Sequence, residues 1–442
     1  MGTSRKLSGV FNQIGPCKLL VLGDLMLDTY TFGKVSRISP EAPVPIMRAQ
    51  RVENKPGGAG NVALNLAALG SSVHLVGRAG KDAAGKDLLT VLQSQKINVD
   101  GVFLSTDYST PIKNRVIADN QQMIRIDYEE VVEIDDLLLE KIKEACLTLI
   151  PQMDYVAISD YGKGLLSKSL LREVIDGCRA SNVPVIIDPK GTDFKKYSGA
   201  NILKPNWGEA AAAVGMDPQA SVEEVSKAIH AMMDIDTLIV TRSKEGISSI
   251  DKDGCRHDYS AKVREVKDVT GAGDTVLAVL ACALGNKLPL NIAIPLANTA
   301  AGIAVERLGC ARITLGEIAI RSLETDVENK VFDEEHFYAI QEAIKGQHSI
   351  ILSVVEKGGL SEALFEAIDQ LSQVENSLLI VYLGDADPSN SYIRMLASLA
   401  EVDYIILKKD SLKTLIDLLK PDQVYAFLEC GELSLELDTS FS

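Results

Sequence analysis

The sequence predicts an α/β protein: a mostly parallel sheet with helices on both faces, a small β lid, and a second, smaller α/β domain at the C-terminus. Three observations carry this. Apolar runs of strand length alternate with helix-like stretches through most of the 442 residues, the pattern of a parallel sheet covered on both sides. Two stretches, about 31–52 and 110–128, break the rhythm; the first carries Pro40, Pro43 and Pro45, and the second alternates apolar with polar residues. Finally, the charge changes in kind: from Val331 onward there are 7 Lys and Arg against 20 Asp and Glu, while the preceding residues hold 38 against 41.

In order along the chain, Cys17–Gly23 is a continuous apolar run of strand length. Asn61–Leu69 follows a helical pattern ended by Gly70, and Val73–Val76 opens the next strand. Tyr155–Ser159, Val185–Asp188, Ile202–Lys204 and Leu238–Thr241 read as later strands, each followed by a turn and a helix-like stretch. Ala272–Leu284 and Ile292–Leu308 are rich in small residues and poor in charge, so both are expected as buried helices. Such sheets place ligands at the carboxyl ends of their strands. The length implies two domains. They are expected at 1–325, with the lid inside it, and at 346–442, joined by a linker or helix over 326–345. In the second, Ser349–Val354, Leu378–Leu383, Tyr404–Leu407 and Val424–Phe427 read as strands separated by helices.

Composition excludes several classes. A net charge of −16 argues against nucleic acid as a partner. No apolar run approaches the roughly 20 residues of a membrane span, and the N-terminus lacks a signal-peptide core. Seven cysteines, scattered singly from Cys17 to Cys430, read as reduced thiols of a cytoplasmic protein.

The chemistry centres on Asp268-Val269-Thr270-Gly271-Ala272-Gly273-Asp274-Thr275, which runs straight into the apolar helix Val276–Ala283. Gly271, Ala272 and Gly273 at a helix start leave backbone N–H groups unpaired and unshielded, and the helix dipole adds positive potential. Asp274 closes the run, where its charge opposes anion binding unless it has a task. A carboxylate beside an anion hole can accept the proton of an attacking hydroxyl while the N–H groups stabilise a phosphoryl group in transfer. By contrast, Gly80–Asp87 only imitates the G-x-x-x-x-G-K-[ST] phosphate loop: Asp87 replaces the hydroxyl, and two carboxylates would repel phosphate. It reads as a turn opening the helix Leu88–Gln95.

Residues 268–274 resemble the second signature of the ribokinase-like (PfkB) carbohydrate kinases, and Gly57-Gly58-Ala59-Gly60-Asn61 resembles the first. Val269 and Val276 depart from the Thr and Phe common in that family. The resemblance implies Asp274 as base, with Gly271, Ala272 and Gly273 as the anion hole. It places Gly57, Gly58 and Asn61 against the sugar, together with the acids Asp24 and Asp28 after the first strand. Asn206 and Glu209 match an N-x-x-E motif that organises phosphate and Mg²⁺, Glu209 acting through water. Thr241, Ser243 and Gly246 match the nucleotide loop, and Asn298 is an adenine-side contact or a helix-packing residue. ATP as co-substrate and Mg²⁺ are the implied cofactors, and a homodimer is expected.

Within the family, Gly23–Tyr30, Arg37–Ile46, Ile112–Arg115, Gln121–Asp127, Ser159–Gly164 and Asp188–Gly191 together resemble the D-glycero-β-D-manno-heptose 7-phosphate kinases. This implies phosphorylation of the anomeric hydroxyl to the 1,7-bisphosphate, towards ADP-heptose and lipopolysaccharide, with ATP and a sugar phosphate as small-molecule partners. A phosphorylated sugar needs cations at its far end; Lys113, Arg115, Arg125, Lys163 and Lys190 are the candidates, with Asp160 among the substrate contacts. The kinase of this family is often fused to a nucleotidyltransferase that depends on an H-x-G-H motif after its first strand. Residues 346–430 have that fold's length and rhythm, but Glu356-Lys357-Gly358-Gly359-Leu360-Ser361 stands where the motif belongs, and no histidine follows His348. A degenerate domain without adenylyl transfer is expected, with a packing, dimerising or partner-binding role. Two other readings are a kinase for another sugar or nucleoside, and a non-catalytic sugar-phosphate sensor.

Overall fold

The computed structural model describes residues 9–438 apart from 120, 218, 262, 326–329, 334–335, 357–360, 386–387, 408–410 and 429–431. Gly15–Thr314 form one compact unit; Leu315–Ser442 with Met1–Ile14 form another.

The first unit runs β1 (Lys18–Gly23), β2 (Leu25–Ile38), β3 (Pro45–Gly58), α1 (Ala59–Ala68), β4 (Ser72–Gly80), α2 (Ala83–Ser94), β5 (Asn98–Ser105), β6 (Ile112–Ala118), β7 (Gln121–Tyr128), α3 (Asp136–Leu149) and β8 (Tyr155–Ser159). It continues with α4 (Lys168–Ala180), β9 (Val185–Asp188), β10 (Ile202–Leu203), α5 (Trp207–Ala213), α6 (Val222–Met232), β11 (Thr237–Thr241), β12 (Ile247–Asp251), β13 (Arg256–Tyr259), α7 (Ala272–Gly285) and α8 (Leu290–Val305). The main sheet has the order β13-β12-β11-β10-β9-β8-β1-β4-β5. From β11 to β5 every pair is parallel, and β12 and β13 add an antiparallel edge. Strand order reverses at β1, which lies between β8 and β4, so the loops leaving β1 and β8 diverge around a crevice.

Both faces of β1 are covered beyond its exposed first residue, Lys18, which is why Leu19–Leu22 are all apolar. Leu20 and Leu22 join the core with Leu171, Val174 and Ile175 of α4, while Leu19 and Val21 are as fully buried on the other face. There α7 packs against α1 and α8. Every residue of α7 from Asp274 to Ala283 is buried; its alanines let neighbouring backbones approach.

The lid is a separate sheet, β3-β2-β6-β7. Its strands begin at Leu25 and return to Gly58, further back than the expected 31–52, because the root residues Leu25, Met26 and Leu27 are buried and continue the apolar run of β1. Asp28, Gly57 and Gly58 therefore stand at the base of the lid. Asp82 caps α2, accepting from Gly85 N and from Thr110, so the phosphate-loop look-alike is a helix start.

The second unit contains α9 (Leu315–Thr325), β14 (Val331–Phe332), α10 (Phe337–Ile344), β15 (His348–Val354), α11 (Glu362–Ser372), β16 (Ser377–Leu383), α12 (Asn390–Ala397), β17 (Tyr404–Leu407), α13 (Leu412–Leu419), β18 (Gln423–Phe427) and β19 (Leu433–Asp438). Its sheet, β14-β17-β16-β15-β18-β19, is parallel except for β19. The division falls after Thr314, not after 325: α9 packs on α10, and Phe11 stacks on Tyr338 with ring centroids 6.0 Å apart. Among the described residues no helix is long and apolar enough to cross a membrane.

Candidate active site

The loop before α7 is held by one side chain. Asp268 accepts from Thr270 N at 2.9 Å and Thr270 Oγ1 at 2.7 Å, and its other oxygen accepts from Gly309 N at 2.8 Å. Burial works against its charge, but these hydrogen bonds keep its carboxyl below the usual range. Gly271 follows with φ of 77°, and a Cβ there would lie 2.8 Å from Asn61 Nδ2, so only glycine fits both the conformation and the space. The first intrahelical bond runs from Thr275 N to Gly271 O, which leaves the N–H groups of Gly273 and Asp274 ahead of the ladder. A Cβ on Gly273 would meet nothing closer than 3.9 Å, where Asp188 Oδ2 and Lys204 Nζ lie. Gly273 therefore faces open space lined by an ion pair, buried Lys204 to the partly exposed Asp188 at 2.9 Å.

Asp274 is 2% exposed. Its Oδ2 accepts from Asn61 Nδ2 at 2.9 Å and its Oδ1 from Tyr161 Oη at 2.8 Å. Burial, aided by the Asp188 charge, lifts its pKa to about 7 despite both hydrogen bonds and the nearby Lys204. Asn61 is itself braced: Asn65 Nδ2 donates to its Oδ1 at 3.2 Å, and Asn65 Oδ1 accepts from Ile313 N. The structure thus brings the first glycine signature and the second together through one carboxylate.

On the crevice side, Asp24 accepts from the backbone N of Tyr161 at 2.8 Å and of Lys163 at 3.1 Å, both on the same oxygen. Burial and the Asp160 charge raise it to about 6. Gly58, with φ of 55°, lets the backbone fold over Asp24 O, where a Cβ would come within 2.6 Å. Asp28 forms a buried ion pair with Arg115 and accepts from Cys310 Sγ at 3.4 Å; a Cβ on Gly57 would strike its carboxylate. Asp160 is occupied: it accepts from Gly162 N, Lys196 Nζ and Tyr197 Oη.

All five candidate cations have acid partners. Besides Arg115, Lys113 lies 3.2 Å from Glu129, Lys163 lies 2.8 Å from the same carboxylate, and Arg125 pairs with Asp127 at 2.9 Å. Lys190 stands apart from these, 2.7 Å from Glu209. Asn206 and Glu209 form a capping box at the start of α5, each side chain accepting from the other's backbone N. Thr241 ends β11; Ser243 and Gly246 both take positive φ in the turn that follows, at 51° and 89°. Asn298 donates to Ser260 O at 2.8 Å and Tyr259 O at 3.3 Å, tying α8 to the end of β13.

Five residues at this centre were not singled out from the sequence as site residues: Tyr161, Asn65, Asp188, Lys204 and Cys310. Tyr161 and Asp188 lie inside the matched stretches Ser159–Gly164 and Asp188–Gly191, and Lys204 directly follows a short apolar strand; Asn65 and Cys310 carried no such signal.

The profile of the pfkB family carbohydrate kinases matches residues 17–315. The chain is 37% identical over 438 residues to bifunctional protein HldE of Trichlorobacter lovleyi, covering 94% of this chain and 89% of that protein. To the HldE of Photorhabdus laumondii it is 44% identical over 301 residues, 67% of this chain and 62% of that one. Among solved structures it is similar to Arabidopsis thaliana ribokinase complexed with ribose and ATP, with a TM-score of 0.56, 21% identity, and coverage of 70% and 98%. It is also similar to phosphofructokinase-2 from Escherichia coli in complex with potassium, at a TM-score of 0.59, 18% identity, and coverage of 70% and 99%. With the signature glycines converging on a buried carboxylate and the family profile spanning the whole first unit, the chain belongs to the pfkB family of carbohydrate kinases.

Proposed function

We propose that this carbohydrate kinase uses ATP to phosphorylate the anomeric hydroxyl of D-glycero-β-D-manno-heptose 7-phosphate, giving the 1,7-bisphosphate. The observation that carries the reading is Asp274: a buried carboxylate with a pKa of about 7, held by Asn61 and Tyr161 beside the first N–H groups of α7. A base poised near neutral pH takes a hydroxyl proton most efficiently. The N–H groups of Gly273 and Asp274, with Lys204 close by, stabilise the charge on the phosphoryl group. Asp24, Asp28, Gly57 and Gly58 position the sugar, and Lys113 and Arg125 of the lid, with Lys163 of the loop after β8, offer the cations for its existing phosphate. In that role these cations exchange Glu129 and Asp127 for phosphate oxygens. Lys190 belongs with the nucleotide phosphates, beside Glu209.

Mg²⁺ would neutralise the triphosphate when bound, with Glu209 reaching it through water and Asp188 close by. An ion of this kind is held by one or two carboxylates together with the nucleotide's own phosphate oxygens. The HldE relatives are named bifunctional, yet we infer no adenylyl transfer here. The motif position 357–360 lies outside the described residues, but its flank is acidic. Glu356 follows β15, its N donating to Asp385 and its carboxylate accepting from Ser389 N at 2.7 Å. Two carboxylates at the carboxyl ends of β15 and β16 repel a triphosphate. We place the enzyme in the cytoplasm, where ATP is made and thiols stay reduced; all six cysteines among the described residues are free. A homodimer is the assembly this reading expects.

The test is ATP turnover on heptose 7-phosphate against ribose, fructose and adenosine, with phosphorus NMR of the product. A new anomeric phosphate on the heptose supports the reading. Faster turnover on an unphosphorylated sugar or nucleoside would replace it with another kinase of the family, and binding without turnover would favour a sensor.

A further inference from the structure

A cleft of about 350 Å³ opens between α6 and the turn joining β12 to β13. It lies at the end of the main sheet away from Asp274: Thr237, which starts β11, pairs with Asp251 next to this turn, whereas the carboxyl end of β11 is Thr241. One face of α6 is spent on the core through Val222, Val225 and Ile229. Another, at helical spacing, presents Ser226, Lys227 and His230 to the cleft, opposite Lys252 and Arg256.

Two features of this lining call for an occupant. Ser226 is 2% exposed, yet its Oγ meets no hydrogen-bond partner, and neither does the buried Nε2 of His230. A buried polar group left unpaired keeps its desolvation penalty, and two such groups line one small space. The second feature is charge. Arg256 is already held by Glu223 and Asp258, but Lys227 and Lys252 form no ion pair among the described residues. Asp253 is the remaining carboxylate of the lining, so two unpaired lysines face one carboxylate beside the Arg256 cluster, in a chain of net charge −16. Its volume falls within the range of about 300–1,000 Å³ typical of small-ligand sites, larger than a bare phosphate fills.

We propose that this cleft binds a phosphate group carried by a small metabolite, with Lys227 and Lys252 on the phosphate and Ser226 and His230 hydrogen-bonded to the ligand. The site is independent of the kinase centre and of the substrate assigned to it. Calorimetry on the full chain, with ribose 5-phosphate, ribose and inorganic phosphate as probes, tests it. Ribose 5-phosphate should bind and ribose should not. Lys227→Ala/Lys252→Ala should weaken that binding by at least about tenfold, the loss of two charge-assisted contacts, and Ser226→Ala should weaken it less. Both lysines are exposed, so the circular dichroism of the double variant should match wild type. Weaker affinity for inorganic phosphate supports a phosphorylated metabolite as the occupant; equal affinity overturns the metabolite and leaves a site for the free ion. Absence of heat from either phosphate overturns the proposal. So does binding that the double variant leaves unchanged, because the kinase centre would then account for it.

Discussion

Tyr161→Phe removes one of two hydrogen bonds on the Asp274 carboxylate, 2.8 Å long, and keeps the ring that fills the space. A hydrogen bond to a charged group contributes about 1.5–3 kcal/mol, and one pKa unit corresponds to about 1.4 kcal/mol. Losing it should therefore raise the Asp274 pKa by about 1–2 units from its value of about 7. Only the ionised carboxylate can take the hydroxyl proton, so the acid limb of the kcat/KM profile moves to higher pH. At pH 7 the ionised fraction falls from about one half to between about one-tenth and one-hundredth, and most of the loss returns by about pH 9. The assay is ADP release at low sugar-phosphate concentration from about pH 5.5 to about 9.5, the range over which such a limb is resolved. A limb that stays near pH 7, with a loss equal at every pH, would refute the reasoning. Tyr161 would then be orienting the substrate and not setting the charge.

Asp274→Asn should lower kcat by about 10²–10⁴ while ATP still binds. The same variant should melt at a higher temperature. In the wild type the neutral carboxyl is compatible with burial below the unfolded pKa near 3.8, and that stability is lost as pH rises through the folded value of about 7, so the gain in Tm should be larger at pH 8 than at pH 5. A pH-independent gain counts against a raised pKa. Gly273→Val should keep the fold, because a Cβ there would meet nothing closer than 3.9 Å outside its own helix, but should abolish turnover and weaken ATP binding in equilibrium titration. Gly271→Val, at φ of 77°, should instead lower Tm. Residues 15–314 alone should keep kinase activity within a few-fold, and the full chain should release no pyrophosphate from ATP and heptose 1-phosphate; sustained release would show a working transferase.

The parts of this protein that a reader of the sequence can find are those written in consecutive residues. Gly271-Ala272-Gly273-Asp274 declares a helix start and an acid within four positions, and β1, β8 and β9 declare themselves by unbroken apolar runs, since both faces are covered. Contacts across long separations leave no such mark. Tyr161 meets Asp274 across 113 residues, and Ile313 N finds Asn65 across 248. The antiparallel edge was hidden for another reason: Ile247–Asp251 and Arg256–Tyr259 sit at the border of the sheet and carry Ser, Asp, Arg and His where an inner strand would be apolar. The lid root was hidden by burial, and α9 was assigned to the kinase because its apolar face does not reveal which partner it packs against.

The bond from Asn61 to Asp274 has a consequence for how the chain is made. It joins residues 213 apart, and at about 5–20 residues per second the ribosome delivers the acceptor about 10–40 s after the donor. During that interval α1 has left the ribosome, but α7, which covers it, has not been synthesised. Asn61 and Asn65, both 1% exposed in the finished protein, must wait in water or on a chaperone. The strands β1, β4 and β8 can pair earlier, so a nascent chain can hold much of its sheet and still lack the Asp274 carboxylate. On the mechanism proposed above, phosphotransfer becomes possible only when α7 arrives.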